Sequence, residues 1–193
     1  MRIGNEEQIS LQKKIGYMFF LGAGIFLLTT TPVRADANND YQNGVAAHAR
    51  GDVIAAIELL NRAADQGHVG AMVRLGYVLD KAEQNEAAFK VYSRAAESGS
   101  REAALALGVM YANGEGVRKN HPKALEWISR AAKAGLGQAV VTIAMVYLRG
   151  DLGVSPDRRQ AIRWLKKGAT AGYEPAKREL RLLCDGKNKK GCK

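Results

Sequence analysis

The sequence predicts an all-α fold in which pairs of helices repeat along the chain, stack into a solenoid and end in a C-terminal capping helix. Three observations predict it. Glycines at 67, 99, 135 and 172 recur at intervals of 32, 36 and 37 residues, each after a stretch of helical apolar spacing. Four residues before each glycine stands a small residue (Ala63, Ala95, Ala131, Gly168), and seven before that an alanine (Ala56, Ala88, Ala124, Ala161). Nine residues after the first three glycines come Gly76, Gly108 and Ala144, a series that extends back to Gly44. The step from these to the next alanine is 12, 12, 16 and 17 residues, so all the length variation sits in one connection.

The first segment stands outside this pattern. Arg2, Lys13 and Lys14 make a weakly positive start, Ile15 to Leu28 runs fourteen residues without a charge, and Val33-Arg34-Ala35 follows a polar stretch. A short apolar run ending in Val-x-Ala suits a secretory signal cut between Ala35 and Asp36, and it is short for a span of about 20 residues. Residues 1–35 are therefore read as a signal peptide. The mature chain is expected to be periplasmic or secreted and not membrane-spanning after cleavage.

The solenoid then occupies 38–185, in units of about 40–67, 68–99, 100–135 and 136–172 with a cap helix over 173–185; a basic tail fills 186–193. The first helix of each unit, helix A, carries Ala71, Leu75-Gly76 and Leu79, then Ala103, Leu107-Gly108 and Tyr111, then Ala139, Ile143-Ala144 and Tyr147. Three- and four-residue spacing gives each one buried stripe. Helix B carries Ala56-Ile57-Leu60-Ala63, Ala88-Val91-Tyr92-Ala95, Ala124-Trp127-Ile128-Ala131 and Ala161-Trp164-Leu165-Gly168. The small residues let helices approach closely, and the glycine after helix B supplies a left-handed stop. Asp52, Asn85, Asn120 and Ser155, the last followed by Pro156, are the expected N-caps of the B helices.

These residues resemble the Sel1-like repeat, the variable-loop relative of the tetratricopeptide repeat. The likeness is closest in Leu107-Gly108-x-x-Tyr111-x-x-Gly114-x-Gly116-Val117 followed by Ala124-x-x-Trp127-x-x-x-Ala131-Ala132-x-x-Gly135. The fourth unit repeats it with Tyr147, Gly150, Gly153-Val154 and Trp164. The resemblance implies a right-handed α-solenoid whose A helices line a concave face, acting as a scaffold for protein partners. After Gly172, Ala176 and Leu180 keep the helix A register, but Arg181 replaces the small residue, which marks this helix as the terminal cap.

The chemistry of catalysis is missing. There is no G-x-S-x-G, no H-E-x-x-H and no nucleophile beside an obvious base. Gly114-Glu115-Gly116 imitates a phosphate loop but matches the inter-helix connection of the repeat. His48, His68 and His121 lack metal-ligand spacing and read as solvated or capping residues. Trp127 and Trp164 occupy the same repeat position, where packing outweighs ligand stacking. No enzyme activity, cofactor or metal is expected. Cysteine-rich relatives linked to β-lactam binding carry a pair in every repeat; here no unit has one. The only pair, Cys184 and Cys192, follows the last repeat, and in an oxidising compartment a bridge is its expected state.

Charge is the one uneven feature. Residues 36–157 hold 13 basic and 14 acidic side chains, whereas residues 158–193 hold 12 basic and 3 acidic. Arg158, Arg159, Arg163, Lys166, Lys167, Lys177, Arg178 and Arg181 fall on predicted helices and form a candidate partner-binding basic face. An acidic envelope or membrane protein suits that charge; nucleic acid does not suit an exported chain. The function expected is a non-enzymatic exported adaptor in regulation or assembly of a cell-envelope system. The rival readings are a secreted effector docking on host proteins and an envelope enzyme or β-lactam-binding protein.

Overall fold

A computed structural model of the chain describes residues 36–185 and Cys192. The apolar run and Ala35 of the expected signal lie outside the described residues. The described chain is helical and forms antiparallel pairs: α1 (Ala37–Ala49) with α2 (Val53–Asp65), α3 (Val69–Lys81) with α4 (Asn85–Glu97), and α5 (Arg101–Asn113) with α6 (His121–Lys133). A fourth pair, α7 (Gly137–Arg149) and α8 (Arg158–Thr170), precedes the single helix α9 (Glu174–Cys184). Odd-numbered helices are the A helices and even-numbered ones the B helices. Each packs mainly on its chain neighbours, the arrangement of a solenoid.

Two recurring backbone hydrogen bonds set the repeat. On the way into each B helix, the capping residue donates its amide to the same register position of the preceding A helix. Asp52 donates to Ala47 (3.0 Å), Gln84 to Leu79 (2.9 Å), Asn120 to Tyr111 (2.8 Å) and Asp157 to Tyr147 (2.7 Å). On the way out, His68, Ser100, Leu136 and Tyr173 donate to Ala63, Ala95, Ala131 and Gly168 at 2.9–3.1 Å. Each A-to-B connection, short or long, thus closes on the same register bond, so the added residues leave helix register unchanged. Gly67, Gly99, Gly135 and Gly172 take φ of 83–93°, the left-handed turn that lets each B helix stop and its successor fold back.

Two of the expected caps are corrected. The fourth helix starts at Asn85 itself, with Gln84 at the cap position and no side-chain bond. Leu79 dictates that position through its bond to Gln84, and Glu83 is pushed to φ 59° to reach it. In the fourth unit Asp157, not Ser155, caps α8. Its carboxylate accepts from Arg159 (2.9 Å) and Gln160 (3.0 Å), and Pro156 lies outside the helix against Gly150. Asp52 and Asn120 cap as expected, accepting from Ala55 (3.1 Å) and Lys123 (3.0 Å). His68 also caps, its Nδ1 accepting from Ala71 at 3.0 Å.

The core runs the length of the stack. Leu60, Leu75, Leu107, Ile143, Ile162 and Leu165 are fully enclosed between A and B helices. The small residues of the A register are required by contact. A Cβ on Gly76 would lie 2.7 Å from the Tyr92 ring, and one on Gly108 would lie 2.5 Å from Ile128. Burial pushes the Tyr92 phenol above its ordinary range, so it stays neutral in the core. Trp127 and Trp164 pack against the core but are only half-buried.

Candidate functional site

The residue after the small position of each A helix is turned about a quarter-circle away from the B helix, onto the open side. At that place stand Val45, Tyr77, Val109, Met145 and, on the cap, Leu182. Tyr77 and Val109 are each 41% exposed and Leu182 is 68% exposed. Four residues earlier come Tyr41, Val73, Leu105 and Val141, buried at Leu105 and partly buried at the other three. The A helices therefore carry a discontinuous apolar line along their outward side, one rung per repeat.

Two recesses interrupt that face. The larger, about 760 Å³, lies between α1, α3 and α5 and is lined by Tyr41, Val73, Arg74, Tyr77, Tyr92 and Glu102. Its rings are held by neighbours. Tyr41 stacks on His68 with centroids 4.6 Å apart, and His48 meets the Tyr77 ring edge-on at 5.9 Å. Arg74 and Lys81 both lie over the Tyr77 ring, at 5.9 and 5.8 Å, so an aromatic face and two cations are presented together. Burial raises the Glu102 carboxyl, but its own backbone amide, Arg101 and Ser100 outweigh burial and hold it below its ordinary value. It is an anion at neutral pH. The smaller recess, about 350 Å³, lies between α7 and α9 and is lined by Val141, Thr142, Met145, Arg149, Tyr173 and Pro175.

The basic residues singled out from the sequence divide into two groups. Arg159, Arg163 and Lys167 are exposed along α8, with Lys166 beside them half-buried. Lys167 lies over the Trp164 ring at 4.8 Å. Arg158 is instead a structural residue, its guanidinium donating to the Leu183 carbonyl at the end of α9. Lys177 pairs with Glu174 at 2.6 Å and Arg178 with Glu179 at 3.6 Å. The Lys177 hydrogen bond holds the Glu174 carboxyl below its ordinary value. Arg181 is exposed on the same helix. The eight residues therefore do not act as one free face. The sulfurs of Cys184 and Cys192 are bonded, with Cα atoms 5.8 Å apart, so Cys192 is tied to the last residue of α9.

A further ion pair went unread in the sequence. Asp40 of α1 is 2% exposed, and Arg62 of α2 donates to its two carboxylate oxygens from Nε and Nη2. That hydrogen bonding holds the Asp40 carboxyl below its ordinary value. The equivalent Arg94 reaches the unit before it, donating to the Ala64 carbonyl (3.2 Å) and Asp65 (3.3 Å). Arg62 turns inward to Asp40 instead. The signal was visible in the Arg-Ala-Ala triplets at 62, 94 and 130, but no feature of the sequence distinguishes the first one's partner. Among the described residues there is no cluster of metal-ligating side chains and no helix long and apolar enough to cross a membrane.

Comparison with known proteins agrees with this geometry. The Sel1 repeat model matches four times, at residues 41–68, 69–100, 101–136 and 142–173. Chitin synthase regulatory factor 3 of Schizosaccharomyces pombe is 34% identical over 131 residues, covering 64% of this chain and 14% of that protein. The ERAD-associated E3 ubiquitin-protein ligase component HRD3A of Arabidopsis thaliana is 29% identical over 121 residues, covering 54% of this chain and 18% of that protein. This chain thus spans under a fifth of the length of either relative. A crystal structure of a Sel1 repeat protein from Oxalobacter formigenes superimposes with a TM-score of 0.67 at 27% identity, over 91% of this chain and 71% of that one. With four matched units over more than half its length, the chain belongs to the Sel1-repeat family, whose members are typically non-catalytic scaffolds for protein–protein interaction.

Proposed function

We propose that this chain is an exported adaptor that holds a segment of a partner protein along the open face of its A helices, without catalysis. The observation that carries the reading is the apolar line Val45, Tyr77, Val109 and Met145, repeated once per unit, partly buried at Val45 and Met145 and 41% exposed at Tyr77 and Val109, beside a groove of about 760 Å³. Exposed apolar side chains in register with a repeat are costly to solubility and are the usual material of a binding surface. Arg74, Lys81 and Glu102 border them and supply orientation to a bound segment. The two relatives described as a regulatory factor and as a ligase component agree with a role in regulation or assembly.

Export rests on residues 1–35 alone: the positive start, the fourteen-residue uncharged run and Val33-Arg34-Ala35. A periplasmic or secreted setting and a cell-envelope partner follow from it. Intact mass of the protein recovered from the envelope fraction tests export, with loss of residues 1–35 expected and a retained segment contradicting it. The binding face is tested by capture from envelope extract with wild type and with Tyr77→Glu/Val109→Glu. Both positions are open, so helicity should hold while the captured partner is lost. Retention of that partner by the double variant refutes the A-helix face.

A further inference from the structure

A further recess, of about 460 Å³, lies where the third and fourth units meet and shares Tyr173 with the smaller recess of the A-helix face. Its walls are the rings of Trp164 and Tyr173, Lys133 and Lys167 stand at its sides, and Gly135 and Gly168 lie in its lining. No acidic residue lines it. Both rings are held in place. Tyr173 donates its amide to Gly168 at 2.9 Å and lies so close on Gly137 that a Cβ there would meet the ring at 2.5 Å. Trp164 packs on the core below and carries Lys167 above it. The recess is thus a preformed aromatic slot with ammonium groups at its edge.

The positive charge continues outward from the slot. Arg163 stands one turn before Lys167 on α8 and Arg159 one turn before that, both exposed. Residues 158–173 contain five Lys and Arg and not one Asp or Glu, so no acid within the segment offsets them. We infer that the slot and this row form a second docking surface, for an acidic segment of a partner protein that also carries an aromatic or large aliphatic side chain. The apolar side chain enters between Trp164 and Tyr173, and the carboxylates lie along Lys133, Lys167, Arg163 and Arg159. The surface shares only Tyr173 with the recesses of the A-helix face, and its test does not involve Tyr77 or Val109.

A polypeptide fits better than an anionic bilayer. The aliphatic residues Ala161, Ile162 and Leu165 of α8 are at most 1% exposed, and its accessible ring, Trp164, is half-buried in the recess beneath Lys167, so the helix presents no protruding apolar face to acyl chains. A recessed slot also matches a single protruding side chain rather than a flat headgroup layer. Opposed charges along the row steer association and make it salt-dependent.

Trp127→Phe in the full chain leaves Trp164 as its only indole and a local reporter. The probe is a short Glu-rich peptide with one central Phe. It should shift Trp164 emission, and added salt should weaken its binding. Arg159→Glu/Arg163→Glu, both exposed and away from the ring, should weaken it by about tenfold or more, since each reversal converts an attraction into a repulsion. A peptide with Ser in place of Phe should bind several-fold more weakly. The matched Gln peptide should leave the emission unchanged. No emission shift, or a shift that survives the double reversal, overturns the inference. So does a response confined to vesicles of phosphatidylglycerol and phosphatidylcholine, which would make the row a membrane-facing surface.

Discussion

Gly116 offers a sharp test of how the long connections are packed. It lies between α5 and α6 with φ +63°, and a Cβ built on it falls 2.1 Å from the carbonyl oxygen of Asn85 and 2.3 Å from its carbon. Those atoms belong to the first turn of α4 and cannot swing aside as a side-chain end would. An L-residue in the left-handed region costs about 1–2 kcal/mol, and displacing packed neighbours costs about 1–3 kcal/mol more. Gly116→Ala should therefore lose about 2–5 kcal/mol in all, a large share of the roughly 5–15 kcal/mol of an ordinary domain. With a urea slope of about 2 kcal/mol per molar, the midpoint should fall by roughly 1–2.5 M. Gly135→Ala is the matched control, because its φ is +83° yet nothing lies within 4 Å of a built Cβ. It should lose only the backbone part, about 1 kcal/mol, or roughly 0.5 M of midpoint. Urea titrations followed by far-ultraviolet circular dichroism compare the two. Equal midpoint shifts would refute the close approach of the connection to α4.

Other outcomes follow from the same contacts. Glu83 takes φ 59° where the first unit has Gly51 at φ 82°, so Glu83→Gly should stabilise by about 0.5–1 kcal/mol, read as a higher urea midpoint. Asp40 titrates below its ordinary value because Arg62 bonds its charged form; that stabilisation is present above the unfolded carboxyl value and is lost as pH falls through the folded one. The urea midpoint should therefore drop below about pH 4, and Arg62→Gln should flatten that drop. Cys184 and Cys192 should resist alkylation in the native protein until reductant is added, with peptide mapping placing both labels. Two thiols labelled without reductant would contradict the bridge.

Much of the fold was legible because the repeat leaves its mark in residue size. Gly44, Gly76, Gly108 and Ala144 sit where an A helix touches its B helix, and Gly67, Gly99, Gly135 and Gly172 sit where the chain must turn left-handed. Both demands admit few residue types, so both show in one sequence. Caps were less legible, since Asn85 and Ser155 have suitable side chains but Leu79 and Tyr147 choose Gln84 and Asp157 through backbone bonds. The exposed line on the A helices escaped notice for a different reason. Tyr77 and Val109 look like core residues in composition, and only the register places them on the open side. Charge alone grouped Arg158 and Lys177 with Arg159 and Arg163, although the first two are engaged with Leu183 and Glu174. Distance in space, which charge counting does not contain, separates them.

Docking on the A-helix face is tested most directly by hydroxyl-radical footprinting of the chain, free and bound to its captured partner. Tyr77, Val109 and Met145 should be oxidised several-fold more slowly in the complex, while Ile54, 83% exposed on α2, should react at the same rate in both. Unchanged oxidation of Tyr77 and Met145 in a fully formed complex would contradict binding on that face.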